Sequence, residues 1–288
     1  MANVALTQPT RAAAPEALRI ETLADRQRRR RRLVTILRLV VLVAILGGWE
    51  LGVRVGLIDP FFFGQPTGIV DKLIEWTRDG TSIGPLWVQV WVTIYEATAG
   101  FVIGSVLGVL CGIALGRNAL LADVFSIYIK VANSIPRVVL GSIFIVALGL
   151  GAPSKIALAV VMVFFVVFAN AFQGVREADK NLIANARILG ASGWQITRAV
   201  VIPSALSWIL ASLHVSFGFA LVGAIVGEFL GAREGMGLLI ATAQGAFDAN
   251  GVFAAMIVIA VVALVAEGLL TLLENKLLAW RPEKSAGE

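Results

Sequence analysis

The sequence predicts an all-α, polytopic membrane protein with six transmembrane helices. Three observations lead there. Hydrophobic residues make up 58% of the 288 and charged ones 15%, and the mean hydropathy of +0.86 lies outside the balance of a water-soluble domain of this length. Apolar stretches of roughly 20 residues or more, enough to cross the hydrocarbon core as a helix, recur between short polar connections. The alternation over about ten residues that marks a transmembrane β-strand is absent.

Residues 1–32 form a basic tail that holds eight of the 24 Lys and Arg residues, five of them in the block Arg28 to Arg32. Beside a span, such a block fixes topology and meets anionic headgroups, which explains the net charge of +5 without a nucleic-acid partner. The tail is too long and basic for an ordinary secretory signal, so the first apolar run, 33–53, reads as a retained anchor. The remaining spans are 87–115, 120–149, 154–172, 203–229 and 250–275, and residues 276–288 form a second polar tail. With the Arg block inside, both termini are cytoplasmic. Arg117, Arg176, Lys180, Arg187, Arg198, Lys276, Arg281 and Lys284 then fall on the inner side, and only Arg54, Lys72, Arg78, Lys155 and Arg233 in the outer loops.

The outer segment 54–86 combines a Pro/Gly turn region with a short amphipathic helix near Ile69 to Trp76. In the second span, Gly100, Gly104, Gly108, Gly112 and Gly116 recur every four residues and leave one helix face nearly bare, so that another helix can approach closely. Such smooth, weakly interlocked faces are expected to let helices slide or rock. Cys111 lies in the same run, has no partner for a disulfide, and reads as a small packing residue. Pro136 interrupts the third span and should kink it. A short helix through Met236, Leu239, Ile240 and Ala243 is expected in the second outer loop, on or dipping into the membrane surface.

The segment between the fourth and fifth spans, ANARILGASGWQITRAVVIPSA, is mixed and charged. Leu182, Ile183, Ala186 and Leu189 lie on one helical face, Gly190 supplies a C-terminal stop, and Ser192 with Gln195 has capping-box spacing. Pro203 suits the opening turn of the next span. The prediction is helix, Gly turn, helix, then membrane. A DNA-reading helix-turn-helix has a similar local pattern but needs a soluble three-helix domain, and here bilayer spans flank both sides.

This stretch resembles the EAA loop of ABC-transporter permeases, whose pattern is EAA, three residues, Gly, nine residues, then Ile, any residue, Leu and Pro. Ala186 supplies the last Ala, Gly190 the Gly, and Val200, Ile202 and Pro203 the closing positions; Ala184 and Asn185 replace the Glu and first Ala. The likeness covers roughly residues 50 to 281, and the runs IPRVVLGSIFIVALGLGAPSKI and GEFLGAREGMGLLI look like the branch that imports nitrate, taurine and alkanesulfonates. The resemblance implies a type I importer (MetI-like) permease in a bacterial inner membrane, functioning as a homodimer with two ATPase subunits and an extracytoplasmic binding protein. It implies that ATP and Mg are bound by the partner ATPase, and that the loop at 177–203 docks there through Ala184, Ala186, Gly190, Ser192, Trp194 and Pro203. With Ala at position 184, a carboxylate facing the ATPase is either absent or supplied by Glu177 or Asp179.

The chain itself carries no GxxxxGK[ST] phosphate loop; GLGAPSK at 149–155 lacks the required ending. No cluster suited to a metal and no catalytic constellation is evident, so the protein is read as a non-enzyme. Polar groups within spans are candidates for a solute path. Ser212 and Ser216, one turn apart, either line it or bond backbone carbonyls; His214 either orients an anion or packs as a gating residue. Lys130 and Arg137, seven residues apart, share a face unless the Pro kink rotates them, and either favour an anionic solute or pair with carboxylates. Glu96, Glu228 and Glu267 read as structural or end-of-span groups, with Glu228 near an outer gate. A self-sufficient secondary transporter or channel is the competing reading, but inverted repeats and paired acidic relays are not evident.

Overall fold

The computed structural model describes residues 14–277, with side chains from Arg28 to Leu272 apart from Ala119. Residues 1–13 of the basic tail, and Arg281, Lys284 and the rest of the polar tail from 278, lie outside the described residues. The chain divides into two compact units, Met1–Pro60 and Phe61–Glu288. The first consists chiefly of α1 (Ala14–Arg54), which joins the described part of the tail and the anchor in one continuous helix. Its apolar residues from Leu33 to Leu46 are exposed within this chain, as suits a lipid-facing span, and Arg54 pairs with Glu50 at 2.8 Å.

In the second unit, α2 (Pro60–Phe63) and the amphipathic α3 (Pro66–Arg78) precede α4 (Leu86–Arg117). α5 (Ala119–Ser134) and α6 (Arg137–Leu148) follow, then α7 (Ala152–Arg176), the short α8 (Lys180–Ile188) and α9 (Gly193–Ile196), a π turn at Thr197–Val201, α10 (Ile202–Leu230), α11 (Met236–Gly245) and α12 (Ala249–Leu277). Among the described residues, five stretches are long and apolar enough to cross a membrane: Arg28–Arg54, α4, α7, Gly193–Leu230 and Ala249–Leu272. Helices suit this solvent because each satisfies its own backbone polar groups. α5 and α6 make the sixth span only as a bent pair, turned by 86°. Pro136 N-caps α6, so the predicted kink is a full break between two helices. The expectation that Lys130 and Arg137 share a face of one helix therefore fails, since they stand on separate helices across that break.

The core is the packing of α7 between α4 and α10. A methyl group built on Gly100, Gly104, Gly108, Gly112 or Gly116 would meet Ala159, Val163, Val167, Ala171 or Val175 respectively, in that order along α7. Both series advance by four residues in the same direction, so α4 and α7 run parallel with their backbones in close approach. α10 runs the other way on α7: Gly174 makes room for Ala205 and Trp208, and Gly223 for Ala159. These contacts revise the expectation of sliding faces. The bare face of α4 is filled in register by one α7 side chain per turn, and a shift by one residue would break all five contacts at once.

Elsewhere α3 buries Ile69 and Trp76 and is pinned near the start of α12, where the Gln65 N–H donates to Asn250 Oδ1 (2.8 Å) and Lys72 lies 3.4 Å from Asp248. Burial lowers the Lys72 pKa, but the hydrogen bond it donates to Glu75 and the charge of Asp248 outweigh that and hold the ammonium above its ordinary value. α11, expected on or in the membrane surface, buries Met236, Leu239 and Ala243 against the unit. Trp87, Trp91 and Tyr95, spaced by four on α4, are exposed, the disposition of an interfacial aromatic belt.

Gly108→Leu should disrupt the ladder, because the added Cβ stands 2.9 Å from Val167 Cβ and 3.0 Å from the Phe164 carbonyl. A destabilisation of roughly 1–3 kcal/mol or more is expected, read as a lower melting temperature in mild detergent. Gly218→Leu, where a Cβ meets nothing within 4 Å, should leave the melting temperature unchanged.

Candidate functional site

The mixed segment folds as a hairpin at one end of the helical core. Asp179 opens α8 by accepting from the Asn181 N–H at 2.7 Å, and Glu177 accepts from Gln173 Nε2 at 2.8 Å. Both carboxylates considered as substitutes for the Glu replaced by Ala184 therefore already hold local hydrogen bonds. The helix closes with a Schellman turn: the Ala191 N–H donates to the Ala186 carbonyl and the Gly190 N–H to the Arg187 carbonyl, each at 3.0 Å. Gly190 sits at φ +80, the left-handed conformation that such a turn requires. Ser192 and Gln195 form the capping box in both directions, at 3.3 and 2.7 Å.

The apolar face expected on α8 is divided. Ile183 and Ala186, with Ala191, pack on a cluster of Ala171, Val175, Ala178, Ile196, Val201, Ala205 and Ile209, which fixes the hairpin to α7 and α10. Leu182 and Leu189 point away instead. Leu189 is 86% exposed, Ile188 83% and Trp194 64%, beside exposed Ala184 and Ser192. Large apolar side chains are thus displayed together on a charged hairpin.

The second arm of the hairpin does not stop before the membrane. Gly193–Leu230 is one apolar helical run of 38 residues, with a π turn at 197–201 just before Pro203. In that turn the Ile202 N–H reaches back five residues to Thr197, and Pro203 follows at once, where its missing N–H falls in the first turn of α10. The second arm of the hairpin is thus helically continuous with the span.

At the opposite end of this run lies a buried polar cluster. Glu228 accepts from the Thr93 hydroxyl and from the Gly237 N–H, each at 2.7 Å. Thr93 Oγ1 accepts from the Met236 N–H at 2.9 Å, and Gln89 Oε1 from the Gly235 N–H at 2.7 Å. Glu96 lies against Glu228, and Lys155, expected in an outer loop, is fully buried with Nζ donating to the Leu150 carbonyl at 2.7 Å. Gly227 leaves space for its stem. Charged residues inside apolar runs are the sequence signal for this cluster. That signal points to Glu96 and Glu228, but it reveals neither Gln89 and Thr93 nor the burial of Lys155.

The other candidates are dispersed. Ser212 and Ser216 are buried, and their hydroxyls donate to the carbonyls of Ile209 and Ser212, both at 2.6 Å, within their own helix. His214 Nε2 lies 3.1 Å from Thr271 Oγ1, linking α10 to α12. Lys130 is exposed on α5, whereas Arg137 donates to Asn133 Oδ1 at 2.7 Å and stacks over Phe165. The five stand on three different helices, Lys130 on α5, Arg137 on α6 and the other three on α10. Among the described residues no group of His, Cys, Asp and Glu is arranged to hold a metal.

Comparison with known proteins gives one consistent result. Residues 104–279 match the family described as binding-protein-dependent transport system inner membrane component. The chain is 31% identical to a putative aliphatic sulfonates transport permease protein of Bacillus subtilis strain 168, over 84% of this chain and 87% of that one. It is 30% identical to a riboflavin transport system permease protein of Chloroflexus aurantiacus, over 84% and 88%. Among solved structures, the MetNI methionine ABC transporter in an inward-facing conformation shares the fold, with a TM-score of 0.58 and 20% identity, over 67% of this chain and 96% of that one.

Ser192→Ala removes one direction of the capping box and should cost about 1 kcal/mol locally. Amide hydrogen exchange should then quicken about fivefold in the first turn of α9, with exchange in the α4–α7 ladder unchanged.

Proposed function

The chain belongs to the family of binding-protein-dependent transport system inner membrane components, and on that premise we propose that its hairpin receives the stroke of a separate ATPase and passes it to the spans. The protein is a multi-pass membrane permease of an ABC importer and not an enzyme; ATP hydrolysis belongs to a separate subunit. Family membership also implies a binding protein as partner. The observation that carries the coupling role is the exposed apolar surface of Ile188, Leu189 and Trp194 at one end of a 38-residue helical run.

In this reading Ala184, Ala186, Gly190, Ser192, Trp194 and Pro203 shape the coupling surface. Ala184, Ser192 and Trp194 face the partner, Ala186 and Gly190 set the turn, and Pro203 begins the span proper. Two permease copies associate with two ATPases, which bind ATP and Mg, and both termini lie in the cytoplasm. The solute is a small anion of the sulfonate type, supported by the sulfonate permease relative; Arg137, Lys130 and His214 supply polar groups on the route, and Ser212 and Ser216 keep it smooth by tying their hydroxyls to the backbone. The riboflavin permease relative, of nearly equal identity, makes riboflavin the second solute to test.

Copurification from native membranes in mild detergent should bring an ATPase with the permease. Trp194→Ala should weaken that association by about 2 kcal/mol, or roughly thirtyfold, as expected for an aromatic anchor. Vesicles holding the permease alone should not accumulate methanesulfonate or riboflavin, whereas addition of ATPase and binding protein should drive methanesulfonate inward. Uphill uptake by the permease alone, or an ATPase that binds the Trp194→Ala chain equally well, would refute this assignment.

A further inference from the structure

We propose that Glu228 and Thr93 form a joint that fixes α11 to the Gly193–Leu230 run, so that displacement of the hairpin at one end repositions α11 at the other. The proposal deepens the coupling role given above and rests on it.

The first turn of a helix leaves its N–H groups without intrahelical partners, and a nearby side chain of the same segment usually satisfies them. α11 has no side-chain cap of its own: its N-cap residue is Gly235, at φ +115. Its first three N–H groups are instead taken by side chains from other helices. Gly235 donates to Gln89 and Met236 to Thr93, both on α4, and Gly237 donates to Glu228 on α10. The Thr93 hydroxyl closes the circuit by donating to the second oxygen of Glu228. A carboxylate at this position also meets the positive end of the α11 dipole.

Two features make this a joint and not a passing contact. Gln89, Thr93 and Glu228 are buried, so no water replaces a broken bond, and displacement would strand three N–H groups and a carboxyl together. The backbone also approaches too closely for side chains, since a Cβ on Gly235 would strike the Glu228 carboxyl and one on Gly237 the Ile225 carbonyl. A helical run of 38 residues spans about 57 Å. It carries Trp194 near one terminus and Glu228 near the other, with no break over 40° between them. α11 therefore moves with the hairpin, and Thr93 and Glu228 are positioning residues for the opposite end of the transporter.

The test uses the full transporter, permease with ATPase and binding protein in lipid nanodiscs, carrying Cys111→Ser and Gln244→Cys on the exposed side of α11. The probe is a membrane-impermeant methanethiosulfonate reagent. Trapping the ATPase with ATP and vanadate should change the labelling rate by about threefold or more, both in this parent and after Thr93→Ser, which keeps the hydroxyl. Thr93→Val, which keeps only the shape, should abolish most of that change while the ATPase still copurifies and hydrolyses ATP. An unaltered response in Thr93→Val, or no response in the parent, overturns the joint. Amide exchange over residues 235–238 is the second measurement and needs no hydrolysis: Thr93→Val should speed it about tenfold while Thr93→Ser does not. Equal exchange in all three chains also overturns the joint. Failure of the ATPase to associate with the parent would count against the coupling role instead, and the exchange measurement would then decide the joint by itself.

Discussion

The structure depends on the absence of side chains along one face of α4. Lipid gives apolar helices no reason to prefer one another over acyl chains, so association must come from close packing. Five glycines at intervals of four let α7 lie against the α4 backbone, and Ala159, Val163, Val167, Ala171 and Val175 fill the resulting groove. With glycines of α7 and α10 doing the same at Gly174 and Gly223, the three helices form one body. That rigidity gives meaning to what is attached at either end, because force applied to a loosely packed bundle would dissipate in rearrangement.

The two ends differ in chemistry. At the hairpin end, local capping is complete: Asp179, Gly190, Ser192 and Gln195 satisfy the termini of α8 and α9 within the segment itself. The hairpin can therefore hold its shape before any partner arrives, and its exposed Leu189 and Trp194 remain free to be covered. At the other end, α11 borrows its capping groups from α4 and α10 and has no independent terminus. One end is preorganised to receive a protein, whereas the other is defined only by its attachment to the core.

Much of this was legible in the sequence, to the extent that the signals were local. Span positions followed from apolar length, and the glycine period foretold which face of α4 is approached. The Schellman turn at Gly190 and the box at Ser192 were visible because cap and capped group lie within a few residues. Features that depend on partners far apart in the chain were hidden or misleading. The glycine face looked smooth because its filling ladder lies near residue 167, some sixty positions onward. Lys155 looked like a loop cation because its carbonyl partners and the gap at Gly227 exist only after folding. Thr93 and Gln89 gave no signal, since an isolated Thr or Gln in an apolar run is equally consistent with bonding its own helix. The 86° turn after Ser134 exceeded the kink expected of one proline, because two separate helices, and not a bent one, pack around Pro136.

Where the polar groups went is itself informative. A membrane subunit must bury or pair every charge that it carries inside the spans. In this chain Ser212 and Ser216 are turned into their own helix, and the strongest buried groups, Glu228, Glu96 and Lys155, are concentrated where α4, α7, α10 and α11 meet. The middle of the three-helix body carries no buried charge: glycine, alanine and valine line the α4–α7 seam, and larger apolar residues such as Leu158, Met162, Phe168 and Leu221 fill the rest. Apolar contacts there tolerate movement of the body through lipid as a unit, since their energy does not depend on any single direction. Hydrogen bonds to Glu228 do depend on direction, and they stand at the junction where the short α11 is held to the body that carries it. The division of labour is physical: non-directional packing makes the lever, and directional bonding fixes what the lever carries.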